Sequence, residues 1–109
     1  MQIAGVAEVT DETFAEQVLA AEGPVLVEFT ADWCPPCRMM APVLADIARE
    51  QAHRLTVVQL DVDRNPQTQA AYAVLSMPTM VVFRDGRPVK SVVGARAKAR
   101  LLREFDDVL

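Results

Sequence analysis

The chain is short of the features that mark most specialised protein classes. It has two cysteines, one histidine, one tryptophan and one tyrosine in 109 residues. Eleven Lys and Arg stand against fifteen Asp and Glu, giving a formal net charge of −4, and no basic block gathers the cations. Such a chain is not built for nucleic acid or an anionic membrane surface, both of which demand concentrated positive charge. No apolar run approaches the roughly 20 residues needed to cross a bilayer. The stretch from Met1 to Glu8 lacks the basic start and long apolar core of a signal peptide, so a cytoplasmic location is expected. No G-x-G-x-x-G is present, so no dinucleotide site and no bound cofactor are expected. There is no repeat, linker or low-complexity segment either, and the length suits a single domain over 1–109. What remains is ordinary globular material, 51% hydrophobic, enough to fill a core.

The two cysteines are three residues apart, in Trp33-Cys34-Pro35-Pro36-Cys37. A β-like apolar run, 25–30, precedes them, and a helix-like run from Arg38 follows. The pair therefore stands where a strand ends and a helix begins. The first turn of a helix has backbone N–H groups without partners and a partial positive charge. A thiol placed there ionises more easily, and the thiolate is the nucleophile. This pattern reads as a redox dithiol, with Cys34 attacking and Cys37 resolving. The competing reading is a metal pair or two inert thiols. Structural zinc wants four ligands, and His53, in another segment, is the one further His or Cys in the chain. No metal is expected.

Taken in order, 6–9 reads as a short strand, and Thr10 or Asp11 as the cap of a helix carrying Phe14, Ala15, Val18 and Leu19. Gly23-Pro24 ends that helix. The run 25–29 is apolar on both faces apart from Glu28, the pattern of a strand covered on two sides. One helix over 35–51 follows, kinked at Pro42, with Met40, Val43, Leu44, Ile47 and Ala48 at helical spacing. A strand at 55–60 leads to a short helix capped by Asn65 and reaching Ala73. A strand at 79–84, the turn Asp85-Gly86 and a strand at 89–93 form a hairpin. Gly94 breaks the last strand, and a helix over 97–108 turns Leu101, Leu102, Phe105 and Val108 inward. The alternation predicts parallel strands with right-handed crossovers and an antiparallel hairpin edge. The fold class is α/β, a mixed sheet of about five strands with helices on both faces.

These residues resemble the thioredoxin family over nearly the whole length. The matching pieces are Val25 to Phe29 with Ala31-Asp32-Trp33-Cys34, Met40-Ala41-Pro42-Val43-Leu44, Asp61-Val62-Asp63-Arg64-Asn65-Pro66, Met77-Pro78-Thr79, Phe83-Arg84-Asp85-Gly86 and Val93-Gly94. The resemblance implies the thioredoxin fold and a protein-disulfide reductase. It implies that Cys34 is the exposed nucleophile, that Cys37 is the buried resolving cysteine, and that the two form a disulfide when oxidised. Pro78 matches the family's cis-proline beside the dithiol, leaving the Met77 backbone free to pair with a substrate strand. Trp33, Met77, Gly94 and Ala95 match the apolar rim on which clients dock. Glu28 takes the place of a buried Asp that passes protons to and from the resolving cysteine. The implied partners are disulfide-containing client proteins and a thioredoxin reductase that recharges the dithiol. The chain itself is expected to be a monomer.

Three positions depart from the family pattern. Pro35-Pro36 stands where Gly-Pro is usual, and resembles the motif of exported thioredoxin-like reductases that serve cytochrome maturation. Neither proline can donate an N–H to Cys34, which leaves the Cys37 N–H as the expected donor. Glu28 is one methylene longer than Asp. Gln59 replaces a Lys that could pair with the carboxylate, so burial is expected to keep the Glu28 carboxyl protonated to unusually high pH. Two further readings of function stay open on the residues alone: a reductant dedicated to one partner, suggested by Pro35-Pro36, and a redox-independent binding subunit. Met39 and Met40 read as helix packing, His53 as a solvated helix end, and Arg96, Lys98 and Arg100 as a solvated helix face.

Overall fold

The computed structural model describes residues 2–109. Five strands form one sheet: β1 (Ala7–Glu8), β2 (Val25–Thr30), β3 (Thr56–Asp61), β4 (Thr79–Arg84) and β5 (Arg87–Val93). Their spatial order is β1-β3-β2-β4-β5. β3 pairs in parallel with β1 and β2, while β4 pairs antiparallel with β2 and β5. Three α-helices, α1 (Pro35–Glu50), α2 (Pro66–Ala71) and α3 (Lys98–Phe105), a π-helical segment, Ala15–Leu19, and a closing 3-10 turn, Asp106–Val108, complete the element order.

The burial of β2 at all six positions follows from helices on both faces. Val25, Val27 and Phe29 join Phe14, Val18, Val74 and Phe83 on one face. Leu26 joins Met40, Leu44, Ile47, Leu101 and Phe105, from α1 and α3, on the other. Each such fully buried side chain contributes about 1.5–3 kcal/mol. Phe14, Tyr72 and Phe83 form a closed aromatic trio with ring centroids 5.0–5.6 Å apart. The trio ties the end of α2 to the sheet just before the chain turns back toward the cysteines.

The ends of the elements depart from the sequence reading for local reasons. Thr10 closes a turn ahead of the helical segment, which has Phe14 and no side-chain cap at its start: Thr10 Oγ1 accepts the Thr13 N–H, and Thr13 Oγ1 accepts the Thr10 N–H. The segment then widens to a π turn, with Ala20 N–H bonded to the Ala15 carbonyl. Asn65 does not cap α2 with its side chain, which instead accepts the Asp11 N–H and donates to the Asp61 carbonyl. The cap comes from Asp11, far away in sequence, whose carboxylate accepts from the Gln67 N–H, the Thr68 N–H and the Thr68 hydroxyl. α2 stops at Ala71, because Ala73 takes a left-handed φ of 54°. β5 begins at Arg87, two residues early: Asp85 and Gly86 both have positive φ, the two-residue turn that sets Arg87 opposite Arg84. α1 runs through Pro42 unbroken.

Candidate active site

β2 carries the chain to the C-terminal edge of the sheet, where Cys34 becomes the N-cap of α1 with extended backbone (φ −95°, ψ 106°). Pro35 and Pro36 occupy the first two helical positions. Proline is pre-shaped for the first of these, and the N–H it lacks has no partner there in any helix. The Cys37 N–H donates to Cys34 Sγ at 3.2 Å, as the missing proline donors require. Cys34 and Cys37 form a disulfide, with Cα atoms 5.3 Å apart.

The exposed nucleophile expected at Cys34 is a correction to make: the residue is 2% exposed, and Cys37 is fully buried. The N-cap side chain folds back over the helix end and joins Cys37 among Ala31, Val62 and Val74. The Cys34 sulfur is thus largely covered from solvent in the disulfide form.

That rim is assembled from distant segments. The Met77 carbonyl oxygen lies 3.6 Å from Cys34 Sγ, and the Met77–Pro78 peptide bond is cis. The Gly94 N–H donates to the Pro78 carbonyl at 2.8 Å, which places Gly94 and Ala95 beside the same segment. Gly94 has φ 95°, a conformation that side-chain-bearing residues rarely adopt. Trp33 is 62% exposed, and its Nε1 donates to the Asp63 carboxylate at 2.8 Å, fixing the ring. Met39 is a second correction: it faces out at 69% exposure, while Met40 is buried and its sulfur accepts the Arg96 N–H. In a helix, adjacent residues point about 100° apart, so two methionines in a row cannot both face the core. Leu75, which the sequence reading did not single out, and Val93 are also exposed apolar residues, close in sequence to Met77 and Gly94 respectively.

Glu28 is 1% exposed and lies beside Gln59 of β3 and Met80 of β4 in the sheet register. It shares the face of Leu26, the face covered by α1, whose first turn carries Cys37. Its Oε2 has no hydrogen-bond partner among the described residues. Burial pushes the Glu28 carboxyl up to about 8, so it holds its proton at neutral pH. Thr30, on the same face, likewise has a buried hydroxyl without a partner among the described residues. The sequence reading missed Thr30 and Asp63, although both lie within its motifs. A threonine in an apolar strand gives no local sign of its burial, and an aspartate after a strand gives none of its bond to Trp33.

Among the described residues, no group of three or more His, Cys, Asp or Glu side chains is placed to hold a metal ion. Among the described residues, no helix is long and apolar enough to cross a membrane. The site thus offers a cysteine pair at a helix N-terminus, a buried proton-holding carboxyl beneath that helix, and exposed apolar side chains around the pair. Such an arrangement can exchange disulfides.

The comparisons with known proteins agree. The sequence model of the thioredoxin family, described simply as "Thioredoxin", matches residues 5–107. A thioredoxin of Mycobacterium tuberculosis is 56% identical over 102 residues, covering 94% of this chain and 88% of that protein. A thioredoxin of Mycolicibacterium smegmatis is 53% identical over 103 residues, covering 93% and 92%. A bifunctional thioredoxin reductase/thioredoxin of Mycobacterium leprae is 54% identical over 102 residues, covering 94% of this chain and 22% of that protein. With its cysteine pair at the N-terminus of α1, the chain belongs to the thioredoxin family of thiol–disulfide oxidoreductases.

Proposed function

We propose that Cys34 is the attacking thiolate and Cys37 the resolving thiol of a cytoplasmic protein-disulfide reductase, and that 1–109 acts as one domain. The observation that carries this reading is the Cys37 N–H donated to Cys34 Sγ at the first turn of α1, within the pair that forms the disulfide. In the reduced chain, that donor and the helix N-terminus favour a thiolate at Cys34. The thiolate attacks one sulfur of a client disulfide. The client S–S bond breaks, its other sulfur leaves as a thiolate and takes a proton, and a mixed disulfide forms. In the chains whose Glu28 is ionised, a share that grows as pH approaches about 8, Cys37 gives its proton to that carboxylate and attacks Cys34. The client's second sulfur leaves and is protonated, so the client gains two electrons and two protons while Cys34 and Cys37 become a disulfide.

Pro78 and the Met77 backbone receive the client strand, and Trp33, Gly94 and Ala95 form the apolar ground beneath it. The placement of the Met77 carbonyl near Cys34 supports this, as does the bond between Gly94 and Pro78. The chain needs a separate thioredoxin reductase to return two electrons, which makes it an electron carrier serving cellular redox balance. The Mycobacterium leprae relative, whose name joins reductase and thioredoxin in one protein, supports that pairing.

Trapping tests the assignment. Cys37→Ser should accumulate a mixed disulfide with a protein substrate through Cys34, whereas Cys34→Ser should accumulate none. The reverse pattern sinks the assignment of roles. Glu28→Gln should slow turnover near neutral pH, and an unchanged pH–rate profile removes Glu28 from the mechanism. Pro35-Pro36 favours one second reading, a reductant retuned for a dedicated partner. A redox potential clearly more oxidising than that of Gly-Pro thioredoxins measured alongside would promote it. A Cys34→Ser, Cys37→Ser double variant that keeps its function in the host would favour a redox-independent binding subunit instead.

A further inference from the structure

We infer that the Thr30 hydroxyl relays protons between buried Glu28 and solvent at the Asp61 end of β3. The inference rests on the reading of Glu28 as the proton acceptor for Cys37. If each turnover leaves the Cys37 proton on Glu28, that carboxyl must trade it with bulk water before the next cycle. Yet Glu28 is 1% exposed, under α1. A route is needed, and the sheet register supplies one.

Side chains two apart on a strand share a face, about 6.6–7 Å apart along the chain. Thr30 is thus the next side chain after Glu28 on the α1 face of β2, toward the dithiol. It is 5% exposed, and its Oγ1, like Glu28 Oε2, has no hydrogen-bond partner among the described residues. A valine of the same shape would bury no unpaired polar atom, so a partnerless hydroxyl here is a local cost to the fold. The register partner of Thr30 is Asp61, on the same face of β3. Asp61 is half-buried, and its Oδ1 accepts the Asp63 and Arg64 N–H groups at the surface. The polar groups therefore step from Glu28 to Thr30 to Asp61, from sealed to wet.

A hydroxyl suits the middle place because it accepts and donates at one atom. It takes a proton on a lone pair and releases its own, and the reverse transfer restores it. The relay requires a water between these groups, hydrogen-bonded on each side at about 2.8 Å. The competing titratable groups are few. Besides Asp61 on β3, α1 brings Cys37 and Arg38, and Arg38 donates to the Asp32 carbonyl. β4 carries Arg84 at its far end, where it donates to the Val108 carbonyl. Beside α1, Arg96 and Glu104 pair with each other at 3.3 Å. Thr30 does not touch the reacting sulfurs. It is a positioning residue that acts through Glu28.

The test is the pH–rate profile of disulfide reduction for Thr30→Val and Thr30→Ser, each alone and combined with Glu28→Gln. Folding stability is measured on the same proteins. Thr30→Val should slow turnover about tenfold where the profile depends on Glu28, a modest share of an acid–base contribution. Its stability should be unchanged or higher. Thr30→Ser should restore the rate, and Thr30→Val should cost nothing further on top of Glu28→Gln. A Thr30→Val profile that overlays the parent, while Glu28→Gln alters it, overturns the relay and leaves the Glu28 role standing. If Glu28→Gln itself changes nothing, the base reading fails first. A Thr30→Ser as slow as Thr30→Val also overturns the relay, since the hydroxyl is then not the active group. Thr30→Ala replaces Thr30→Val should the latter not fold.

Discussion

The Cys37 backbone N–H donates to the Sγ of Cys34 across 3.2 Å. An N-cap side chain normally accepts from the second or third helical N–H. Here the second helical residue is Pro36, which has none, so the third carries the interaction alone.

Pro36→Ala should restore the second donor and lower the Cys34 thiol pKa by about one unit, given that a bond to a charged group contributes about 1.5–3 kcal/mol. Ultraviolet absorbance of the thiolate, followed through a pH titration, reads the shift directly. Because the added bond favours the reduced, ionised form, the redox potential should move toward more oxidising values. An unmoved thiol would mean that the first-turn donors do not govern this sulfur.

Glu28 should make the fold less stable as pH rises. Its carboxyl is pushed from 4.5 to about 8 by burial. Between those values the folded chain holds a proton that the unfolded chain has released, so stability falls as pH increases through the window. The contribution is fully present below the unfolded value. Glu28→Gln, uncharged throughout, should flatten that slope, so its urea midpoint should gain on the parent as pH is raised from 5 to 8. Parallel midpoint curves would show that Glu28 is ionised in the fold.

Asp11→Ala should lower the urea midpoint without changing the dithiol chemistry. The Asp11 carboxylate is pushed up by desolvation, but bonds from the Thr68 hydroxyl, the Thr68 N–H and the Gln67 N–H outweigh this and hold its pKa below the usual range. Its stabilising effect is present above the ordinary carboxylate range and is lost as pH falls through the depressed value, so parent and variant should converge in acid. Faster amide exchange confined to α2 and its surroundings would locate the loss.

Ala73→Gly should stabilise the fold by about 1 kcal/mol. Ala73 sits at φ 54° with an exposed side chain, so glycine removes strain and gives up little packing. A shift in the urea midpoint at constant slope measures it. A loss of stability would mean that the entropy of glycine in the unfolded chain outweighs the strain.

The core elements were legible in the sequence because each rests on a short-range pattern. The run around Val27 and Phe29 is apolar on both faces, and β2 is buried at every position. Asp85-Gly86 specifies its turn through two adjacent backbone angles. Asn65 was misread for the opposite reason: a good capping residue stands in the right place, but Asp11 reaches the same N–H groups from elsewhere in the chain. Met39 was misread because the spacing around it fits two faces of α1, and only packing chooses between them.

By itself, the sequence determined that a cysteine pair stands where a strand meets a helix, and that prolines deny the first sulfur its nearer donors. Both follow from residues within a few positions of one another. Only the tertiary structure decided what surrounds that pair. The strand order β1-β3-β2-β4-β5 sets Met77 against Cys34 and Gly94 against Pro78. The same order seals Glu28 and Thr30 beneath α1 and leaves Asp61 at the edge as their neighbour nearest water. Such contacts join residues far apart in the chain, and they exist only once the apolar faces of the sheet have been covered.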